Sequence, residues 1–172
     1  MKVLGIDPGT AACGFGIVHA SGGRLTAVEF GWWQTRSRDA PEVRLKRIHD
    51  EVADLIARHD PAAVALEESY VGADARTALS VGQARGAVLV ACAAADVACA
   101  AAEVACAEYP PASVKQAVCG YGRAEKAQVQ RMVRSILGLA EEPRPHHAAD
   151  ALAVAICHAL APPLMALVGA RR

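Results

Sequence analysis

An acidic residue ends the first apolar segment of the chain, and this feature constrains the fold more than any other. Residues 2–6 are mostly apolar, Asp7 follows them, and Pro8 and Gly9 then turn the chain. Short apolar runs bounded by proline and glycine are typical of buried strands. A carboxylate at the end of a buried strand loses hydration, so it needs a positive partner. The sequence therefore predicts a cation site, such as a metal site, at the end of the first strand.

Two further acids stand in similar positions. Glu67 ends another short apolar run, and Asp150 begins an apolar segment near the C terminus. Residues three apart share one face of a helix, so His147 and Asp150 would point the same way. Each acid alone is more often a surface residue or a helix cap. If Asp7, Glu67 and Asp150 converge, however, their repulsion must be relieved by raised pKa values or by bound cations, and carboxylate clusters suit Mg²⁺ or Mn²⁺.

The apolar periodicity predicts an α/β fold. We expect strands near residues 2–7, 13–19, 25–34, 62–67 and 102–107, and helices near residues 41–59, 75–96, 111–118, 124–138 and 147–160. Three strands joined by turns, followed by alternating strands and helices, indicate a mixed five-stranded sheet with helices on both faces. A chain of 172 residues is long enough for one domain with an ample core. We expect that domain to span residues 1–161, with a short mobile tail at residues 162–172.

Composition argues against several other classes of protein. Hydrophobic residues make up 53% of the chain, which excludes extended disorder. The most apolar stretch, residues 86–107, is interrupted by Asp96 and Glu103, so we expect no membrane span. The N terminus lacks the apolar core of a signal peptide, which makes the cytoplasm the expected location. None of the six cysteines forms a Cys-x-x-Cys pair, so a zinc site is not expected.

The charge distribution is uneven although the net charge is zero. From residue 109 onward the basic residues outnumber the acids by eight to four; the basic residues are Lys115, Arg123, Lys126, Arg131, Arg134, Arg144, Arg171 and Arg172. A basic region beside an acidic metal pocket would suit a phosphodiester substrate. Charge alone, however, is equally consistent with the solvated face of an ordinary helix.

Several motifs, taken together and in order, resemble the RuvC-type Holliday junction resolvases along almost the whole chain. They are GIDPGT at residues 5–10, ALEESY at 65–70, ALSVGQARG at 78–86, a basic segment with YPP at 109–111, VK at 114–115 and GYGRAEKAQV at 120–129, and HHAADALA at 146–153. Each motif alone is weakly specific. Their common order makes the resemblance highly specific.

The resemblance implies a ribonuclease H-like fold and a metal-dependent endonuclease. Such an enzyme would make paired nicks in opposed strands of four-way junction DNA and leave 5′-phosphate ends. Two ions, Mg²⁺ or Mn²⁺, would be held by Asp7, Glu67, His147 and Asp150. His147 is a departure, since many family members carry an acid there, and an imidazole favours Mn²⁺ more than an oxygen-only site does. It would be a metal ligand, a base that orients the attacking water, or only a helix cap.

The same resemblance assigns the contacts with DNA and with partner proteins. Tyr70 would stack on exposed bases at the junction centre, while Lys115 and Lys126 would neutralise phosphates. Residues 71–74 depart from the commoner family pattern, and Arg76 would compensate for that change. Resolvases must cut two strands, so the resemblance implies a homodimer, for which the helix that carries Gly82 and Gly86 is a reasonable interface. It also implies a branch-migration helicase partner of the RuvA and RuvB type.

Other classes of function remain open from the sequence. The GIDPGT motif also resembles the phosphate loop of the sugar kinase, actin and chaperone ATPases, but those proteins need a second related domain. A catalytically inactive binding module would be expected to lose one of the acids. A ribonuclease H-like nuclease that cuts RNA–DNA hybrids is the main alternative, because it would use the same acids without a dimer or a stacking tyrosine.

Overall fold

The computed structural model describes residues 1–68, 75–98 and 105–161 of the chain. Four of the sequence-based predictions lie outside these residues. They concern Tyr70, the altered loop 71–74, the beginning of the strand predicted at 102–107, and the tail at 162–172.

Five strands and five helices are described. The strands are β1 (Lys2–Asp7), β2 (Ala12–Ser21), β3 (Arg24–Gln34), β4 (Ala63–Glu67) and β5 (Ala105–Tyr109), and the helices are α1 (Pro41–His59), α2 (Ala75–Ala98), α3 (Pro111–Cys119), α4 (Lys126–Leu137) and α5 (His146–Leu160). The strand order in the sheet is β3-β2-β1-β4-β5. Strands β1, β2 and β3 pair antiparallel, while β4 pairs parallel with both β1 and β5. This arrangement confirms the predicted mixed five-stranded sheet.

Strands β2 and β5 and helices α2 and α4 have ends that differ from the predictions by two residues. Strand β5 continues two residues past the predicted end at 107, because Glu108 and Tyr109 pair with the last two residues of β4. Helix α4 begins at Lys126 rather than at Ala124, which is buried in the preceding turn. It ends at Leu137, where Gly138 adopts the left-handed conformation that glycine accepts without steric cost.

The sheet has helices on both faces, as predicted. Side chains alternate between the two faces of a strand, so Leu4 and Ile6 join the core beneath α1 and α2, whereas Val3 joins the core beneath α3, α4 and α5. Helix α5 is buried along almost its whole length and is rich in alanine. Such small side chains allow it to lie close against the sheet.

Two glycines bring α5 into backbone contact with the sheet. A Cβ atom at Gly5 would lie 2.0 Å from the carbonyl oxygen of Ala151, and one at Gly14 would lie 2.0 Å from that of His147. No other amino acid fits at either position without moving the helix. These contacts fix the first turns of α5 next to the carboxyl end of β1.

Helix α2 contains one segment, Ala75–Ala95, that is long and apolar enough to cross a membrane by length and composition alone. It has 21 residues, a mean hydropathy of 1.4, and 22% of its most apolar window is buried. By this criterion, therefore, the sequence-based prediction that the chain has no membrane-spanning segment is not met. One such helix is weak evidence, since core helices of soluble proteins pass the same test. Its inner face, with Ala84, Val88 and Ala91, is fully buried.

Candidate active site

The two central parallel strands place their terminal acids side by side. Asp7 ends β1 and Glu67 ends β4, and the residues just before them, Ile6 and Leu66, are partners in the parallel ladder. Because Ile6 and Leu66 face the α1 and α2 side of the sheet, the next residues face the α5 side. Burial of the preceding apolar residues on one face of the sheet thus places both carboxylates on the other face, toward α5.

A cavity of about 330 Å³ lies where these strand ends meet α5. Its ionisable lining residues are Asp7, Glu67, Lys115, Lys126, His147 and Asp150. Its apolar lining comes from α3, α4 and α5 and includes Val114 and Val129, both of which are buried. The structure therefore brings together all four residues predicted to act at a metal centre, together with both predicted lysines.

Burial and neighbouring negative charge raise the pKa values of two acids in this cavity. Burial and the nearby charges of Asp7 and Asp150 raise the pKa of Glu67 to about 7. Burial and the charge of Asp7 also raise the pKa of Asp150. Both shifts mean that the pocket opposes further negative charge. Raised pKa values that lessen the repulsion between the acids are therefore present, as the sequence predicts.

Two basic side chains of the protein pair with these acids. His147 Nδ1 lies 2.7 Å from Asp7 Oδ2, and that hydrogen bond raises the pKa of His147. Lys126 Nζ lies 3.7 Å from Asp150 Oδ2. The lysine side chain is 70% exposed, so its ion pair contributes little to stability and leaves it able to reach a ligand.

The chemistry of the pocket fits divalent cations. Three carboxylates and one imidazole converge in it, and the raised pKa of Glu67 shows a site that favours added positive charge. Across residues 1–68, 75–98 and 105–161, however, no three His, Cys, Asp or Glu side chains already stand in metal-binding geometry. His147 and Asp7 instead bond to each other. Ion binding would therefore require these side chains to change partners.

Residues next to the predicted ligands take other roles. Glu68 is exposed, and its backbone N–H donates to the carbonyl of Tyr109 at 2.8 Å. It therefore does not line the pocket, in agreement with strand alternation. The exposed His146 ring packs against the His147 ring with centroids 4.1 Å apart. Arg76 lies in the first turn of α2 and does not line the cavity.

Polar contacts that the sequence alone did not predict hold the turn after Asp7. The hydroxyls of Thr10 and Ser80 are hydrogen-bonded, which ties this turn to α2. The hydroxyl of Thr35 donates to the carbonyl of Thr10, and Arg44 Nε donates to the same hydroxyl at 2.8 Å. The sequence shows hydroxyl side chains in the GIDPGT and ALSVGQARG motifs, but which hydroxyls pair depends on the tertiary structure.

A second polar contact that the sequence analysis missed lies in the core. The Tyr109 hydroxyl and His158 Nδ1 are 2.9 Å apart, which links the end of β5 to the last turns of α5. Burial lowers the pKa of His158, so the ring is neutral at physiological pH. A neutral imidazole both donates and accepts, and it therefore satisfies the tyrosine without a buried charge.

The mixed five-stranded sheet brings three acids together, two at the ends of its central strands and one on the overlying helix. This arrangement defines a nuclease of the ribonuclease H-like class. The sequence model of the crossover junction endodeoxyribonuclease RuvC family matches residues 3–158. The chain belongs to this family.

Individual relatives agree with that assignment over nearly the whole chain. The crossover junction endodeoxyribonuclease RuvC of Heliobacterium modesticaldum is 48% identical over 157 residues, which cover 91% of this chain and 93% of the relative. The Thermus thermophilus RuvC structure superposes with a TM-score of 0.83 at 41% identity, covering 92% of this chain and 93% of that one. The structure of T. thermophilus RuvC in complex with a Holliday junction substrate gives 0.82 at 39% identity, with the same coverage. These matches confirm the predicted resemblance and fold.

Proposed function

We propose that this chain resolves Holliday junctions during recombination and DNA repair by nicking two opposed strands. The reaction is a divalent-metal-dependent hydrolysis that leaves 5′-phosphate ends. Family membership supports the endodeoxyribonuclease activity, and a relative that binds a Holliday junction supports the substrate. The observation that carries the proposal is the meeting of Asp7, Glu67 and Asp150 in one cavity that two lysines also line.

We assign the metal site to Asp7, Glu67, His147 and Asp150, with two ions, Mg²⁺ or Mn²⁺. Bound ions of this kind activate a water molecule and offset the charge that develops on the leaving oxygen. Asp7 ends the central strand, between β2 and β4, which suits it to be the shared ligand. An imidazole is a softer ligand than a carboxylate, so His147 favours Mn²⁺.

The chain's own side chains bind and orient the phosphate. Lys115 on α3 and Lys126 on α4 face the acids across the cavity, where they would neutralise the scissile phosphate and its neighbour. In the metal-free protein, the hydrogen bond between His147 Nδ1 and Asp7 keeps the imidazole ring in the pocket, from which it would turn to a bound ion. Val114 and Val129 supply an apolar wall that limits water around the phosphate.

Two further DNA contacts are proposed next to this pocket. Arg76 lies in the first turn of α2, the helix that follows β4 in the chain. It would contact the DNA backbone. Tyr70, three residues after Glu67 in the sequence, would stack on an unpaired base at the junction centre, a role that rests on the family resemblance.

The outer face of α2 supports a homodimer. Leu79 and Val90 are 66% and 60% exposed, and Gly82 and Gly86 lie between them on the same face of the helix. A Cβ atom at either glycine would meet open space, so packing within the protomer does not require glycine there. We propose that a second copy packs on this face, close to the glycines. The dimer would give one active site for each of the two nicks.

The remaining assignments rest chiefly on the resemblance. We assign residues 1–161 to a single nuclease domain, since all five described helices pack on one sheet or on each other, and residues 162–172 to a C-terminal tail. We assign the chain to the cytoplasm. A branch-migration helicase of the RuvA and RuvB type would deliver the junction.

The test is paired nicking of a mobile four-way junction with Mg²⁺ or Mn²⁺. Asp7→Asn, Glu67→Gln and Asp150→Asn should each slow cleavage at least about 100-fold, a typical loss when one electrostatic catalytic group is removed. Junction binding should persist in all three variants, and the exposed Glu68→Gln should cleave normally.

The same assay tests the metal assignment. His147→Asp should lower the ratio of Mn²⁺-supported to Mg²⁺-supported cleavage, because the softer ligand is lost. An unchanged ratio would remove His147 from the metal site. Normal cleavage by Asp7→Asn would contradict the whole assignment.

A further inference from the structure

The edge strand β3 carries two half-exposed aromatic side chains on the same face of the sheet as the catalytic pocket. Phe30 and Trp32 are each 37% exposed. Their cross-strand partners in β2 are Gly16 and Gly14, which lie beneath α5. Phe30 and Trp32 thus face the α5 side of the sheet. We call these two residues the β3 aromatic pair.

The neighbouring residue, Trp33, points the other way. Its ring stacks on Phe15 with centroids 4.7 Å apart and an interplanar angle of 16°. Phe15 belongs to the core beneath α1 and α2. The two tryptophans of the chain therefore lie on opposite faces of the sheet, one packed in a core and one partly open to solvent.

The β3 aromatic pair lies close to the reaction centre. Asp7 pairs with Gly14, and Gly14 pairs with Trp32, so two strand spacings separate the acid from the tryptophan. That separation is about 10 Å between backbones. It corresponds to about three nucleotides along one strand of duplex DNA. A strand cleaved beside Asp7 and running across the start of α5 would reach Trp32.

The surroundings of the pair suit a DNA strand. Arg36 and Arg38 are exposed just after the end of β3, and Arg144 is exposed just before α5 begins. Asp39 is the acid that accompanies these arginines in the loop after β3. Helix α5 has no side-chain cap, and its Ala148 N–H donates to Pro145 O, which leaves the N–H groups of His146 and His147 at the helix start, where a phosphate is favoured. Charge and aromatic surface thus occur together, as in single-strand binding grooves.

The exposed surface of the β3 aromatic pair is too small to bind a second copy of the chain. Two aromatic side chains with about a third of their surface exposed offer on the order of 150 Å². A stable protein interface needs about 800 Å² from each partner. One or two nucleotides need far less, and the first turn of α5, which covers Gly14, is what separates the pair from the catalytic pocket.

We propose that Trp32 and Phe30 form an aromatic contact for the DNA strand about three nucleotides from the scissile phosphate, on the side of α5 opposite to the catalytic cavity. This contact rests on the proposed junction-cleaving function. It extends the binding site from the strand ends to the sheet edge. The flat indole would pack on a base or sugar that the bend at the crossover leaves open.

The two tryptophans provide a direct measurement. In an Asp7→Asn background, which leaves the junction uncut, Trp33→Phe retains Trp32 as the fluorophore and Trp32→Phe retains Trp33. Titration with a synthetic four-way junction should quench Trp32 emission and reach a plateau at saturation. Trp33 emission should stay constant, since its ring is stacked on Phe15 in the opposite core.

Binding affinity provides the second measurement. Trp32→Ala should raise the junction Kd by about 5- to 100-fold, the range expected for the loss of one stacked base. Val43→Ala should leave the Kd unchanged, because Val43 is also exposed, at 55%, but lies on α1 on the other side of the sheet. Far-ultraviolet circular dichroism would confirm that each variant is folded.

Three results would overturn the contact. Constant Trp32 emission at a junction concentration that saturates binding would exclude it. A change of oligomeric state in Trp32→Ala, without a change in junction affinity per protomer, would assign the pair to a protein interface. Failure of the unaltered chain to bind any junction would instead remove the proposed function, and the contact with it.

Discussion

At the scale of single residues, the pocket concentrates charge that the folded protein does not fully balance. Glu67 is mostly buried between two other acids and has a pKa of about 7. His147 and Lys126 each pair with one acid, but Glu67 has neither as a close partner. Such a site costs stability in the free protein and is relieved by a bound cation.

Replacing Glu67 should therefore stabilise the protein at neutral and higher pH. The unfolded chain loses the Glu67 proton near its ordinary pKa of 4.5, and the folded chain loses it only near 7. Between these values the folded state holds more protons, so stability falls as the pH rises and the penalty is complete above pH 7. Allowing for partial exposure, Glu67→Gln should raise the free energy of unfolding by about 1–3 kcal/mol at pH 8 in chelator.

Urea unfolding at pH 8 and at pH 4.5 is the measurement. The gain should vanish at pH 4.5, where Glu67 is protonated in the folded state, and Glu68→Gln should show no gain at either pH. Added Mg²⁺ should stabilise the wild type more than Glu67→Gln, since the variant loses a ligand. Destabilisation by Glu67→Gln at pH 8 would contradict this electrostatic account.

At the scale of elements, α5 is the part that completes the site. It carries His147 and Asp150, and its backbone rests on Gly14 and Gly5 of the two central antiparallel strands. The position of the third acid therefore depends on two residues that have no side chain. Any atom added at these glycines must lift the helix, and with it the acid, away from Asp7.

Gly5→Ala should show this dependence. Its Cβ would lie 2.0 Å from a backbone oxygen that cannot rotate away, so we expect a loss of about 3 kcal/mol or more of unfolding free energy. Cleavage should fall more than junction binding, because a metal site needs Asp150 close to Asp7, whereas a flexible lysine side chain can still follow a phosphate. For the stability of the single protomer, measured at a concentration below dimer formation, Gly86→Ala is the matched control, since its Cβ meets open space and alanine favours a helix by about 0.5–1 kcal/mol. Equal stability of the two variants would contradict the close contact.

Acids at either end of an apolar segment are visible in the sequence, so Asp7, Glu67 and Asp150 are predictable together with most element boundaries. Which neighbours those elements meet is not local information. The link from Thr10 to Ser80, the pair of Tyr109 with His158, and the packing of Trp33 rather than Trp32 beside Phe15 all depend on how distant segments pack. Sequence patterns carry no direct record of such contacts.

At the scale of the whole molecule, the fold places the catalytic pocket and the proposed dimer face on opposite sides of the sheet. One side, with α3, α4 and α5, carries the pocket and its lysines. The other side, with α1 and α2, carries an apolar helix whose outer face is open. The chain is neutral overall, yet Lys115 and Lys126 line the pocket beside its acids. This separation leaves the proposed dimer face distinct from the DNA surface.

A charge on the outer face of α2 should separate the protomers. Val90→Arg places a cation at the centre of the proposed interface, whereas Val43→Arg places the same cation at an exposed apolar position on α1. Sedimentation should give a monomer for the first variant and a dimer for the second. The monomer should nick junctions one strand at a time, so that nicked intermediates accumulate. A dimer that survives Val90→Arg would assign the interface to another surface.

The central claim is that this pocket cuts four-way junctions. The most direct measurement compares a mobile synthetic junction with a linear duplex and an RNA–DNA hybrid, each with Mg²⁺ or Mn²⁺, for the wild type and for Asp7→Asn. We predict paired nicks in opposed strands of the junction alone, with 5′-phosphate ends, and none with Asp7→Asn. Cleavage of the hybrid in preference to the junction, or junction cleavage that survives Asp7→Asn, would contradict the account.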